Sequence, residues 1–234
     1  MQDLFSAFTK AGTLLIALDP ALIEIIGLSL RVSLTAVGIA AIIGLPLGAI
    51  LGLSRFPGHG ALDVLLNALM GLPPVVVGLL VYLLLSRSGP LGALGLLFTP
   101  TAMIIAQAVL VTPIIAALTR QTIEDLWDEL GEQLRSFGVG RRRVVGTLLW
   151  EGRVALLTAI LAGFGRASAE VGAVMIVGGN IDHVTRMMTT TIALETSKGD
   201  LPLALGLGIV LMGMALAVNA AAHVLRGTAL RVGG

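Results

Sequence analysis

Four stretches of this 234-residue chain carry no charged side chain, and their lengths decide what it can fold into. Val32–Leu53 is a run of 22, Val64–Ser86 of 23, Leu201–Ala222 of 22 and Ser88–Thr119 of 32 residues. A hydrocarbon core about 30 Å thick is crossed by roughly 20 apolar helical residues. Three runs therefore fit one span each. The fourth is too long, which places Gly89–Phe98 outside the membrane or in a re-entrant stretch, ahead of a helix over Thr99–Leu118. A fifth span, Val154–Val177, is interrupted by Arg166 and Glu170. Barrel strands would alternate over about ten residues, and these runs do not. Only 12% of the residues are charged and 56% are hydrophobic, whereas a soluble domain is about a quarter charged. The expected class is an all-α, polytopic membrane protein with about five transmembrane helices.

The same residues exclude several functions. Thirty glycines beside so few charges do not describe a disordered chain, which would be polar and charge-rich. The absence of cysteine removes disulfide scaffolds, thiolate metal sites and cysteine nucleophiles together. A net charge of +1 gives no basic surface for nucleic acid. A phosphate-binding loop needs Gly-x4-Gly-Lys-Ser/Thr, but Lys10 precedes Ala11 and Lys198 precedes Gly199. ATP hydrolysis would have to occur on another polypeptide. The histidines, at 59, 183 and 223, lie in separate segments with no His-Glu-x-x-His pair. No metal site, catalytic residue or enzyme activity is expected.

Orientation follows from lysine and arginine, which are in excess in cytoplasmic loops. With five spans and a cytoplasmic C-terminus, the inner loops hold Arg55, Arg120, Arg135, Arg141, Arg142, Arg143, Arg153, Arg226 and Arg231. The outer segments hold only Lys10, Arg87, Arg186 and Lys198. Nine against four puts the N-terminus outside and the C-terminus inside. Residues 1–22 are expected to be an external amphipathic segment. They lack the basic start and small-residue cleavage pattern of a signal peptide, with Asp3 before Lys10 and Asp19-Pro20 closing the apolar stretch. The membrane domain covers 23–225, with a cytoplasmic loop at 120–153, and 226–234 form a cytoplasmic tail.

That loop is the only long polar stretch. Ile123, Leu126, Trp127, Leu130, Leu134 and Phe137 fall at helical spacing and form one apolar stripe. Glu124, Asp125, Asp128, Glu129 and Glu132 occupy the other face, Arg135 sits in the last turn, and Gly138 stands where a left-handed stop belongs. Arg141-Arg142-Arg143 follow. Such a helix either lies on the inner membrane surface, its arginines facing anionic lipid, or docks a partner.

Glu132-Gln133-Leu134-Arg135-Ser136-Phe137-Gly138, with Leu148-Leu149-Trp150-Glu151 nine residues on, resembles the Glu-Ala-Ala loop of importer-type ABC permeases. Glu132 and Gly138 are in register. Gln133 and Leu134 replace the two alanines, and Glu151 replaces the proline of that pattern. Gly71-Leu72-Pro73-Pro74, Leu85-Ser86-Arg87-Ser88-Gly89-Pro90, Gly178-Gly179-Asn180-Ile181, Thr185-Arg186-Met187-Met188-Thr189-Thr190 and Glu195-Thr196-Ser197-Lys198-Gly199-Asp200 resemble the tungstate-type branch of the molybdate, sulfate and tungstate permeases. The likeness covers roughly 20–225. It implies the type-1 ABC transmembrane fold in a prokaryotic inner membrane. It also implies a second copy of the chain, two ATP-binding subunits that hold ATP and Mg, and an extracytoplasmic substrate-binding protein. The resemblance makes Asp128, Glu129, Glu132, Arg135, Gly138 and Arg141 the ATPase-coupling residues. The cargo it implies is an oxyanion, tungstate first, with molybdate or sulfate as alternatives. The rival class is an ion-gradient-driven secondary transporter, which would show inverted repeats and intramembrane acids.

Inside the spans, Arg166 and Glu170 are four apart on one face and expected to pair, either locking helices or dimer contacts or taking part in gating. Losing Arg166 alone is expected to do more harm than losing both. Gly44, Gly48 and Gly52 repeat every fourth residue and invite close helix approach. Pro46, Pro73, Pro74 and Pro113 are expected to break or kink their helices, freeing carbonyls that must face protein or water. Pro73 and Pro74 are the candidates for pathway lining. A translocated oxyanion needs hydrogen-bond donors without a tight trap. Asn180, Thr189 and Thr190 fit that need, or else belong to a polar external helix capping the bundle.

Overall fold

The computed structural model describes residues 9, 12, 13, 16, 17, 19–54 and 58–232, without the side chains of Arg141 and 225–232. Lys10, Arg55 and most of the external segment expected at 1–22 lie outside the described residues, as do the side chains of Arg226 and Arg231. All described regular structure is helical: α1 Pro20–Leu53, α2 His59–Met70, α3 Pro74–Leu85, a 3-10 turn Gly92–Leu94, α4 Pro100–Ser136, α5 Arg141–Glu151, α6 Arg153–Ser168, α7 Gly172–Gly178, α8 Met188–Lys198 and α9 Leu201–Val232. α1, α4 and α9 are each long and apolar enough to cross a membrane. The pairs α2–α3, bent by 96°, and α5–α6, bent by 74°, bring the number of candidate spans to as many as five if each bent pair is one span. The all-helical, multi-pass class stands.

Several boundaries differ from the sequence expectation, each for a local reason. α1 starts at Pro20, well before Val32, because Asp19 caps it: Asp19 Oδ1 accepts the N–H groups of Ala21 at 3.0 Å and Leu22 at 3.3 Å, with proline at the first helical position. The run Val64–Ser86 is two helices, since Pro73-Pro74 follow Gly71-Leu72 and cannot extend α2. Pro46 and Pro113, by contrast, sit inside the continuous helices α1 and α4. The amphipathic segment of the loop expected at 120–153 is not a separate helix but the final turns of the 37-residue α4. The expected span Val154–Val177 breaks between Ser168 and Gly172, around Glu170.

The chain forms two compact units. One contains 1–36, 73–107 and 165–217. Its core holds Leu22, Ile25, Met188 and Leu207, with Ile26, Ile192, Leu203, Val210, Leu211 and Met214 packed around them. Ser29 Oγ accepts the Met188 N–H at 2.8 Å and so ties α1 to the start of α8.

The other unit contains 37–72, 108–164 and 218–234. Its seam is the glycine repeat of α1 against α4. A side chain at Gly44 would meet Ile115 at 3.1 Å, one at Gly48 the Ala116 carbonyl and Thr119, and one at Gly52 the Arg120 carbonyl at 2.9 Å. Backbones this close leave room for hydrogen only. Leu51 and Leu66 pack on Ala116. Ala49, Ile123, Val144 and Leu148 form a second cluster that gathers Leu53, Leu126, Trp127, Leu130, Leu134 and Val139.

Candidate functional site

The apolar stripe at the end of α4 packs against other helices of the same chain. Ile123 is fully buried, and Leu126, Trp127, Leu130 and Leu134 pack with it against Ala49 of α1 and Val144 and Leu148 of α5. Protein, not lipid, covers the stripe, which removes the reading of a helix lying on the membrane. Phe137 is the exception to the expected stripe: α4 has ended at Ser136, and the Phe137 ring is 79% exposed.

A Schellman motif ends the helix. Gly138 has φ 65°, its N–H reaches the Arg135 carbonyl at 3.0 Å, and the Val139 N–H reaches the Leu134 carbonyl at 3.3 Å. The left-handed stop expected at Gly138 is therefore present. Leu134 and Val139 join the same apolar cluster, as the motif requires. The chain then turns directly into α5.

At this corner lies a groove of about 510 Å³, lined by Gly52, Trp127, Asp128, Gly131, Glu132, Arg135 and Val139 among others. The Arg135 guanidinium stacks on the Trp127 ring at 5.0 Å. Gly131 lets that ring lie along the helix, because a side chain there would come within 3.1 Å of it. Of the expected coupling residues, Asp128, Glu132 and Arg135 line the groove, Glu129 is exposed on α4 outside its lining, Gly138 makes the turn, and Arg141 begins α5 with its side chain outside the description. Sequence reading missed the polar neighbours. Arg120 bridges Asp63 of α2 at 3.2 Å and Glu124 at 2.7 Å, while His59 lies 3.1 Å from Asp63. Asp63 sits in a short helix that the apolar runs on either side concealed.

The interruption between α6 and α7 is the second polar locus. The Arg166 guanidinium donates to Glu170 Oε2 at 2.7 Å, making the expected pair. Glu170 Oε1 accepts the Ala173 N–H at 3.0 Å, so this carboxylate also caps α7. The Glu170 carbonyl accepts from Thr189 Oγ1 at 2.7 Å, and the Ala167 carbonyl accepts from Gln107 Nε2 at 3.1 Å. Each carbonyl is thereby satisfied by a side chain from a neighbouring helix.

The expected pathway residues are distributed as follows. Pro73 is exposed at the start of α3, and Pro74 is its first residue. Asn180 has φ 49° and a buried Oδ1 with no partner among the described residues. Thr189 and Thr190 are buried, Thr189 bonded to Glu170 and Thr190 to the Met187 backbone at 3.0 Å in both directions. Their hydroxyls hold a bend and a helix start. Among the described residues no group of histidine and acidic side chains has the arrangement of a metal site.

Comparison with known proteins adds what geometry does not. The chain is 43% identical over 97% of its length, and 99% of the relative's, to a tungstate uptake system permease protein of Peptoclostridium acidaminophilum. It is 38% identical over 97% of its length, and 95% of the relative's, to a tungstate uptake system permease protein of Campylobacter jejuni. A probable anion ABC transporter permease protein of Haloferax volcanii is 39% identical over 85% of this chain and 88% of its own. The family model for the inner membrane component of binding-protein-dependent transport systems matches residues 44–228, from the glycine seam through the groove and the α6–α7 interruption into α9. With that match over most of the chain and 43% identity to a permease along almost its whole length, the chain belongs to the family of binding-protein-dependent transport system inner membrane components.

Proposed function

We propose that this chain is the membrane-spanning permease subunit of an ATP-driven importer for a small oxyanion, tungstate before molybdate or sulfate. The observation that carries the proposal is identity above 40% sustained over nearly the whole of both chains with a tungstate uptake permease. The chain hydrolyses nothing. Two ATP-binding subunits supply the energy, and a second copy of the chain completes the pathway. A substrate-binding protein delivers cargo on the outside, where the N-terminus lies, and the C-terminus is cytoplasmic.

The groove beside Trp127 is the seat of the ATPase. Its acids and its stacked arginine offer charge of both signs around an aromatic floor, and the exposed Phe137 beside it is a large apolar group that a soluble partner can cover. Closure of the ATPase pair moves the α4–α5 corner. Because α4 is one uninterrupted helix from Pro100 to Ser136, motion at the corner is transmitted along α4, which supports alternating access by rocking about a central site. Pro73 and Pro74 line the route, where open backbone must face water or protein.

The test is reconstitution of the chain with its ATPase and binding protein in proteoliposomes, followed by ATPase assays with tungstate, molybdate and sulfate. Tungstate is expected to stimulate hydrolysis most. Equal stimulation by sulfate overturns the cargo assignment. Uptake that persists on a proton gradient without the ATPase overturns the mechanism in favour of a secondary transporter.

A further inference from the structure

We infer that Arg166 is an anion-contacting residue of the translocation pathway, and that Glu170 tempers its charge so that cargo is released; the inference rests on the oxyanion reading above. Four observations lead there. First, Arg166 lies in the last turn of α6, at the break before α7 within the expected span 154–177, and a charge that faces lipid at the centre of a span costs on the order of 3 kcal/mol. Second, the two members of the pair are unequally exposed: the Glu170 side chain retains 2% of its accessible surface and that of Arg166 retains 34%.

Third, the guanidinium has five N–H donors, and among the described residues Glu170 is its one hydrogen-bond partner. Both Glu170 oxygens, by contrast, are engaged, by Arg166 and by the Ala173 N–H. Fourth, the pair stands where the helix is broken, and the first turn of α3 packs there too: a side chain on Gly172 would come within 2.8 Å of Val75. Non-helical backbone at membrane depth occurs where it is buried in protein or lines a water-filled cavity. An arginine with unused donors at such a place faces water or cargo, not hydrocarbon.

A doubly charged oxyanion is matched by a guanidinium fork. A bare arginine would hold it too firmly for conduction, which requires that binding be weak enough to leave. The neighbouring carboxylate, fixed 2.7 Å away, lowers the local positive potential without occupying the other donors. The geometry is therefore that of an attractive but releasing contact.

The chain lacks cysteine, so one thiol can be placed at this position alone. The variant is Arg166→Cys with Glu170→Gln, which avoids a stranded carboxylate and keeps an acceptor for Ala173. It is assembled with ATPase and binding protein and treated with a cationic (aminoethyl) or a neutral (methyl) methanethiosulfonate. The untreated variant should lose tungstate uptake by about tenfold or more, the size of one charge-assisted hydrogen bond. The cationic adduct should restore much of that loss and the neutral adduct none, and tungstate should slow the labelling. Arg166→Lys, which keeps a charge in a less distorted site, should retain more uptake than the untreated cysteine variant.

Equal recovery with both reagents, or labelling that tungstate does not slow, overturns the anion contact, as does resistance of the thiol to either reagent during turnover. A wild-type complex that moves no oxyanion strikes the reading beneath it instead, and shows itself before any variant is made.

Discussion

Gly138 offers the sharpest test of the α4–α5 corner, because the structure separates conformational from steric cost there. Its φ is 65°, and nothing lies within 4 Å of where a side chain would project. Replacement by alanine therefore adds no clash, only the penalty of an L-residue in the left-handed region, about 1–2 kcal/mol. Asparagine tolerates that region and should cost a few tenths to half of the alanine value, on the order of 0.5 kcal/mol. Proline is locked near φ −65° and has no N–H. It cannot adopt the turn at all and deletes the 3.0 Å bond to the Arg135 carbonyl, so it should cost more than alanine, about 3 kcal/mol or more. The order of stability, glycine, asparagine, alanine, proline, is read from thermal unfolding in detergent. Coupling is read as uptake per ATP hydrolysed in proteoliposomes. Proline at 138 should redirect α5 and lower that ratio sharply while ATPase activity persists. If asparagine costs as much as alanine, the left-handed backbone is not the origin of the effect. If the proline variant takes up cargo at the wild-type ratio, the corner does not transmit ATPase motion.

Three further outcomes follow from the packing and the charges. Gly48→Leu should destabilise the chain by about 1–3 kcal/mol by forcing α1 away from α4, read as a lowered unfolding midpoint; an unchanged midpoint would refute the close seam at the Ala116 carbonyl and Thr119. Arg166→Ala should cost about 3 kcal/mol by stranding a buried carboxylate. Adding Glu170→Gln should recover part of that, whereas adding Glu170→Ala should not, because the Ala173 N–H then loses its acceptor; equal midpoints for the two double variants would contradict the capping role. The third concerns pH. The hydrogen bond from His183 to Glu24 at 2.8 Å, then the charges of Glu24 and Asp182, raise the His183 pKa above 6.5, opposed by desolvation and by Arg186. A raised pKa means that the pair's stabilisation is complete below the ordinary imidazole value and is lost as pH rises through the higher one. Glu24→Gln should lower the His183 midpoint in an NMR titration, where only three histidines must be assigned; no shift would show that the pair does not form.

What could be read from the sequence, and what could not, divides along a physical line. Features encoded by local periodicity were readable: the apolar runs, the stripe from Ile123 to Leu134, the glycine seam and the stop at Gly138 each depend on residues a few positions apart. The continuity of α4 was hidden because its two parts are stabilised differently. Thr99–Leu118 read as a membrane span and Ile123–Phe137 as an amphipathic helix, and only the polar Thr119-Arg120-Gln121-Thr122 lay between them. Arginine and glutamine are good helix formers, so a change of surroundings there need not be a change of structure.

The opposite difference occurs at 154–177, where a segment expected to be one span despite Arg166 and Glu170 contains a break. That break depends on partners distant in sequence: Gln107 reaches Ala167, and Thr189 reaches Glu170. No window along the chain contains both sides of those bonds. Thr189 and Thr190 offered either donors for an anion or a polar cap for the bundle; a buried hydroxyl in an apolar unit needs a partner, and Thr189 finds it at the Glu170 carbonyl of the broken helix, Thr190 at the Met187 carbonyl. Arg166 has donors to spare because it has more than its fixed neighbour can use. The difference between a structural polar residue and a cargo-facing one is thus a matter of counting donors against acceptors, and here that count separates Thr189 from Arg166.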